Sequence, residues 1–204
     1  MNKAQRAILV GMILGDAYLQ KTGKRNARIR LEHSEKQRGY LLWKGLQFPE
    51  FFQGKPQELV RFNPVYKQQY RYWRWQSNAS PEIGRFRRMF YQDSKKIIPQ
   101  GLPKLLVSPL SLTVWFMDDG YFYPRDKMAY LYIPKYSQKE REVLRETLKS
   151  NFSLETKLKV KRGENLVLVF NVKETRRLIS LIKPFIIPSM PAKISSSDPL
   201  STAA

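Results

Sequence analysis

Cysteine is absent from the 204 residues. That excludes disulfides, zinc–thiolate sites and thiol nucleophiles. The single histidine, His33, falls near a strand end and reads as a surface or contact residue rather than a catalyst. Acids are scarce: 17 Asp and Glu stand against 37 Lys and Arg, for a formal charge of +20. No apolar run approaches the ~20 residues a spanning helix needs, and the basic residues are spread along the chain rather than gathered on one amphipathic helix. A membrane role is therefore not expected. Lys3 and Arg6 before the apolar run Ala7–Gly15 resemble a short signal peptide, but Asp16 ends the run and no clear small-x-small cleavage site follows. The chain reads as intracellular and not secreted.

Hydrophobic residues make up 42% of the chain, enough to bury a real core. A net charge this large destabilises a compact protein by self-repulsion and points to a polyanionic partner. With membrane set aside, that partner is nucleic acid.

The chain carries an internal duplication. Leu9 to Tyr18 reads LVGMILGDAY and Leu112 to Tyr121 reads LTVWFMDDGY, each an apolar helical run ending in an acid. Eighteen residues past Asp16 is Ser34, and eighteen past Asp119 is Ser137. Both read as helix N-caps, the second with Glu140 at the capping-box position. Ile97-Ile98-Pro99 with Lys104 is echoed by Ile186-Ile187-Pro188 with Lys193, the Pro-to-Lys spacing being five in both.

Between these anchors strand and helix signals alternate. Ala27 to His33 alternates Arg28, Arg30 and Glu32 with Ile29 and Leu31, a period of two that predicts a half-exposed strand. Gly23 marks the turn of a hairpin over 17–33. A helix is predicted over Lys36–Phe48, strands over Glu58–Phe62 and Gln68–Ser77, and a helix over Pro81–Tyr91 with Ser80 as its N-cap. The second half repeats the order: strands from about Tyr121 and over Met128–Ile133, a helix over Gln138–Asn151, strands over Thr156–Arg162 and Leu166–Asn171, and a helix over Glu174–Lys183. The expected fold is α+β, an αββαββα unit occurring twice. The expected organisation is an N-terminal half over 1–95, a linker over 96–108, a C-terminal half over 109–194 and a flexible tail over 195–204.

The two runs over Leu9–Ala17 and Leu112–Gly120 resemble the signature helices of the LAGLIDADG homing endonucleases, in the monomeric, two-motif branch encoded in introns. The resemblance covers nearly the whole chain. It implies two curved antiparallel four-stranded sheets forming a DNA-binding saddle, with the two signature helices parallel at the centre. The residues agree. Gly11 and Gly15, one turn apart, strip side chains from one face of a helix so that another backbone can approach. Two helices packed in parallel at a pseudo-dyad would bring Asp16 and Asp119 side by side, where neighbouring carboxylates repel unless they share cations. Oxygen-only ligands, with no His or Cys nearby, favour Mg²⁺, with Mn²⁺ as the alternative. Such metals activate water and stabilise the leaving oxygen in phosphodiester cleavage.

Asp16 and Asp119 are thus the expected catalytic acids and metal ligands. The resemblance adds the Gly15 carbonyl and, at the aligned position, Asp118 as lesser metal candidates. It also places a lysine near each centre: Lys193 by its spacing, and in the first half either Lys104, its repeat counterpart, or Lys96. Val114 and Asp118 stand where the second motif would have its glycines, so the helix interface is expected to be asymmetric.

For the DNA surface, Arg28 and Arg30 share one strand face, as do Lys157, Lys159 and Lys161 opposite Leu158 and Val160. Arg and Gln on such a ribbon can read guanine and adenine edges, while Lys often meets phosphate. With Trp73 and Trp75 in the core, Tyr72, Arg74 and Gln76 point to DNA, which leaves Arg71 on the buried side. Lys21, Lys24, Arg25, Arg61, Lys67 and Lys127 complete the expected contacts. The activity expected is site-specific double-strand cleavage of a long asymmetric target by a monomer, leaving short 3′ extensions, in a bacterial cytoplasm or an organelle such as a mitochondrion or chloroplast. An intron-RNA maturase and a non-catalytic DNA-binding protein are the alternatives on the same fold.

Overall fold

The computed structural model describes residues 1–161 and 165–194. The expected tail and the end of the predicted strand at Arg162 lie outside the described residues. The elements run α1 (Lys3–Leu14), β1 (Tyr18–Lys21), β2 (Ala27–Ser34), α2 (Arg38–Leu46), β3 (Gln57–Asn63), β4 (Gln68–Gln76), α3 (Pro81–Phe90), then α5 (Pro109–Asp119), β7 (Gly120–Tyr123), β8 (Met128–Ile133), α6 (Gln138–Phe152), β9 (Lys157–Lys161), β10 (Asn165–Phe170) and α7 (Val172–Ile182). This is the αββαββα unit twice. Between α3 and α5 lie the two-residue strands β5 (Tyr91–Gln92) and β6 (Lys95–Lys96) and a short helix, α4 (Leu102–Leu105). Leu102 and Leu106 are fully buried there, and Asn151 of α6 donates to the carbonyls of Pro103 and Leu106, both at 2.8 Å.

Each unit carries one antiparallel four-stranded sheet, in the orders β1-β2-β4-β3 and β7-β8-β10-β9. The helices begin where polar side chains satisfy their first free N–H groups. Ser80 accepts from the Glu82 amide and Ser108 from Leu110. Asn171 accepts from Glu174, and Ser137 with Glu140 forms a complete capping box. Ser34 differs from its expected twin. It precedes a 3-10 turn, Glu35–Gln37, and its side chain makes no cap hydrogen bond. A 3-10 entry displaces the amides that a serine hydroxyl would reach.

By contacts the chain divides into two compact units, one of Met1–Gln5 and Asp16–Lys95, the other of Arg6–Gly15 and Lys96 onward. In the first, β2 alternates buried and half-buried residues without a break. Its inner row, Ala27, Ile29, Leu31 and His33, is buried. His33 is therefore not a surface residue: the period of two carries it inward, under α2. Arg71, in turn, is not buried. Its side chain is 69% exposed and pairs with Glu58 at 3.5 Å, because the core under this strand ends at Trp75. In the second unit Leu131, Leu168 and Phe170 are fully buried. On the edge strand β9, Val160 is 67% exposed, so the face opposite the three lysines is only partly covered. No helix of the described residues is long and apolar enough to cross a membrane.

Candidate active site and nucleic-acid interface

The apolar face of α5 meets the glycine face of α1. A methyl group on Gly11 would run into the Ser111 carbonyl oxygen and stand 2.8 Å from Val114 Cβ, and one on Gly15 would stand 2.6 Å from Asp118 Cβ. Gly11 matches Val114 and Gly15 matches Asp118, both numbers rising together, so the helices run parallel. The departures Val114 and Asp118 occupy the space that the two α1 glycines leave open. One helix supplies the room and the other fills it, which is the asymmetry the motifs imply.

The ends of both helices carry a lysine-bound carbonyl beside an acid. The Gly15 amide still bonds back to Gly11 at 3.0 Å, so its carbonyl is among those the α1 helix leaves unpaired. Lys96 Nζ donates to it at 2.7 Å. At the end of α5, Lys193 Nζ donates to the Gly120 carbonyl at 2.8 Å. A cation at a helix C-terminus is favoured by the dipole as well. Asp16 directly follows Gly15 and is exposed; Asp119 directly precedes Gly120 and is half-buried, as is Asp118. Lys104 is exposed on α4 and is the donor to neither carbonyl. The equal Pro-to-Lys spacing of the two halves does not carry over into equal placement, because α4 takes up the residues that lead to Lys104.

Two buried residues pair beneath α2: His33, expected at the surface, and Lys44, which the sequence reading did not single out. Lys44, on α2, is fully buried, and its Nζ stands 3.1 Å from His33 Nε2 and 4.2 Å from the Tyr40 ring centre. His33 Nδ1 is 3.3 Å from Gln37 Oε1. His33 comes within 4.8 Å of the Asp16 carboxylate, contrary to the premise that no histidine lies near. Both of its ring nitrogens are engaged, however. Within the second unit, the Gly15 carbonyl and the Asp118 and Asp119 carboxylates at the ends of α1 and α5 are oxygen donors of the kind a hard divalent ion takes. The signal for Lys44 was its helical phase with Tyr40 and Leu41.

The outer face of the first sheet is an arginine–glutamine surface organised by Glu32. Cross-strand pairing sets Arg30 opposite Gln76 and Glu32 opposite Arg74. Arg74 donates to Glu32 Oε2 through Nε at 2.9 Å and Nη2 at 2.8 Å, and Arg61 reaches Oε1 at 2.6 Å. Burial pushes the Glu32 carboxyl up, but the bonds from Arg74 and Arg61 outweigh it and hold it below its ordinary range. Arg28 Nη1 donates to Gln76 Oε1 at 3.2 Å, and Arg61 stacks 5.0 Å from the Tyr72 ring centre. Lys21, Lys24, Arg25 and Lys67 are exposed at the strand ends and turns of this sheet.

The second sheet presents different chemistry. Tyr121 pairs with Tyr130, and Tyr130 and Tyr132 pair with Val169 and Val167, which in turn face Lys157 and Lys159. Lys161 Nζ lies 4.0 Å from the Tyr130 ring centre and 3.3 Å from Tyr132 Oη. The tyrosines, at alternate positions on β8, were not counted among the expected contacts although their spacing was visible. Lys127 is exposed in the β7–β8 turn. Lys157 and Lys159 also border a cleft of about 870 Å³ with Glu142, Glu146 and Lys149 of α6.

Residues 6–178 match the model of the LAGLIDADG DNA endonuclease family, and the chain belongs to that family. It is 28% identical to "Probable intron-encoded endonuclease 1" of Wickerhamomyces canadensis over 95% of this chain and 85% of that protein. It is 27% identical to "Protein RecA" of Mycolicibacterium fallax over 95% of this chain but 47% of that protein, so it spans about half the length of this relative. Among solved structures, the homing endonuclease I-WcaI bound to its DNA recognition sequence matches with a TM-score of 0.86 at 26% identity, over 95% of this chain and 87% of that one. I-DmoI in complex with DNA and Mn shares the fold, with a TM-score of 0.51 at 11% identity over 90% and 98% of the two chains.

Proposed function

We propose that this chain cleaves both strands of a long, asymmetric DNA target as a monomer, leaving short 3′ extensions. The observation that carries the reading is the recurrence, at the ends of α1 and α5, of an acid beside a carbonyl held by a lysine ammonium. Asp16 and Asp119 are the acids of the reaction, and they hold a divalent cation, Mg²⁺ or Mn²⁺, with help from Asp118 and the Gly15 carbonyl. When bound, such a cation supplies an activated water and charge stabilisation at the leaving oxygen. Lys96 and Lys193 fix the carbonyls beside each acid and bring positive charge to the phosphate. The two sheets, arginine–glutamine in one unit and tyrosine–lysine in the other, read unlike half-sites. That difference supports an asymmetric target. Residues 1–95 and 109–194 act as the two halves, joined through 96–108.

The test is incubation with a random duplex library and Mg²⁺, followed by sequencing of the break ends. One recurrent asymmetric site with short 3′ extensions is expected. The same treatment of Asp16→Asn and Asp119→Asn should cut double-strand breaks by orders of magnitude, with binding in Ca²⁺ retained. Random breaks, or linearisation of target DNA by either variant at the parental rate, would overturn the reading.

A further inference from the structure

A second concentration of positive charge lies in the first unit, in a cleft of about 260 Å³ between the β1–β2 turn and α3. Lys21, Lys24 and Arg25 form one wall, Arg87 and Arg88 the other; Asp93 is the single acid that lines it. The walls are locked together. A methyl group on Gly84 would collide with the Arg25 carbonyl oxygen, and Arg88 Nη1 donates to that same carbonyl at 3.3 Å. The helix thus sits directly on the turn backbone.

Arg87 sets this cleft apart from an ordinary basic surface. It is 8% exposed. Its guanidinium is stacked 4.5 Å from the Tyr91 ring centre, and Nη2 donates to the Asp93 carbonyl at 2.8 Å. The Tyr91 hydroxyl accepts from the Leu19 amide at 3.1 Å, so the ring beneath the guanidinium is itself fixed. Yet Arg87 Nη1 is enclosed without a hydrogen-bond partner among the described residues. An enclosed charged donor left unbonded is costly. Holding it next to four further cations adds to that cost, and a bound anion with several oxygens would remove both penalties.

We propose that this cleft binds a phosphate group, with Arg87 as its anchor and Lys24, Arg25 and Arg88 as its rim. Its source is a backbone phosphodiester of duplex DNA outside the segment cut by the central acids. This choice of source rests on the function proposed above; the phosphate chemistry of the cleft does not.

The probe is inorganic phosphate, titrated into the full chain with the amide signals of Gly23, Asn26 and Gly84 as readout. Saturable shifts are expected, lost in Arg87→Met and in the triple variant Lys24→Gln, Arg25→Gln, Arg88→Gln. The triple variant changes only exposed side chains and keeps the test valid should Arg87→Met unfold. Shifts that do not saturate, or that survive the triple variant, overturn the site. A second arm uses target duplexes with one neutral methylphosphonate linkage walked along each strand. At one linkage, neutralisation should weaken parental binding roughly tenfold, the scale of a bond to a charged group, and leave the triple variant unaffected. Saturable phosphate binding with no such linkage overturns DNA as the source. If no duplex is bound at all, the nuclease reading fails, while the phosphate titration still decides the cleft.

Discussion

Lys96 Nζ donates to the Gly15 carbonyl at 2.7 Å, one residue before Asp16, whereas Lys193 donates to the Gly120 carbonyl at 2.8 Å, one residue after Asp119. The two lysines are not equivalents in the repeat. Lys96 comes just before Ile97-Ile98-Pro99, while Lys193 follows Pro188 by five residues. The halves reach similar chemistry by different routes.

This arrangement separates Lys96 from Lys104, the two first-half candidates, and sets Lys96 beside Lys193. Lys96→Met and Lys193→Met should each lower plasmid cleavage by about 10²-fold or more, the scale of losing one preorganised donor, with duplex affinity in Ca²⁺ little changed. Lys104→Met should cleave like the parent. A loss at Lys104 as large as at Lys96 would show that the carbonyl contacts do not mark the functional lysines.

The close approach of α1 and α5 predicts a stability effect. A methyl group on Gly11 meets backbone, the Ser111 carbonyl, which cannot swing away as a flexible side chain would. Gly11→Ala should destabilise the protein by about 1–3 kcal/mol, and each kcal/mol should lower Tm by roughly 2–4 °C for a chain of this size. Gly101→Ala, with nothing within 4 Å of the added carbon, is the control. Equal melting of the two variants by circular dichroism would contradict the packing.

Glu32 gives a pH dependence. Its carboxyl is held below the ordinary value near 4.5 by Arg74 and Arg61. A depressed carboxylate stabilises the fold above its unfolded pKa, and that contribution is lost as pH falls through the lower folded value. Parental protein should therefore melt above Glu32→Gln at neutral pH, with the gap closing as pH drops below about 4.5. A gap that stays constant down to the acid limit would show that the arginine clamp contributes nothing.

Changing Lys157, Lys159 and Lys161 together to Ala should flatten the salt dependence of duplex binding by about 0.9 in log–log slope for each phosphate no longer neutralised. Lys157 and Lys159 border a cleft shared with acids of α6, so two roles compete for them. An unchanged slope would assign these lysines to that cleft rather than to DNA.

The order of helices and strands was legible from local signals alone: the period of two in β2, the caps Ser80 and Ser137, and the two apolar runs ending in Asp16 and Asp119. Such signals involve residues a few positions apart, where spacing dictates which side chains share a face. What only the tertiary structure decided depends on contacts across long stretches of chain. The repeat spacing offered Lys104, with Lys96 as the alternative, and only the tertiary fold brings Lys96, 81 positions from Gly15 in sequence, to its carbonyl. Burial of His33 and Lys44 followed from α2 closing over the sheet, and exposure of Arg71 and Val160 from the core ending short of those strands. Strand alternation states which side chains lie together, but only neighbouring layers determine whether that side is wet. The same is true of Val114 and Asp118. In the sequence they read as departures from a motif, whereas in the fold they fill the space opposite Gly11 and Gly15, because close packing is a property of the helix pair rather than of either helix.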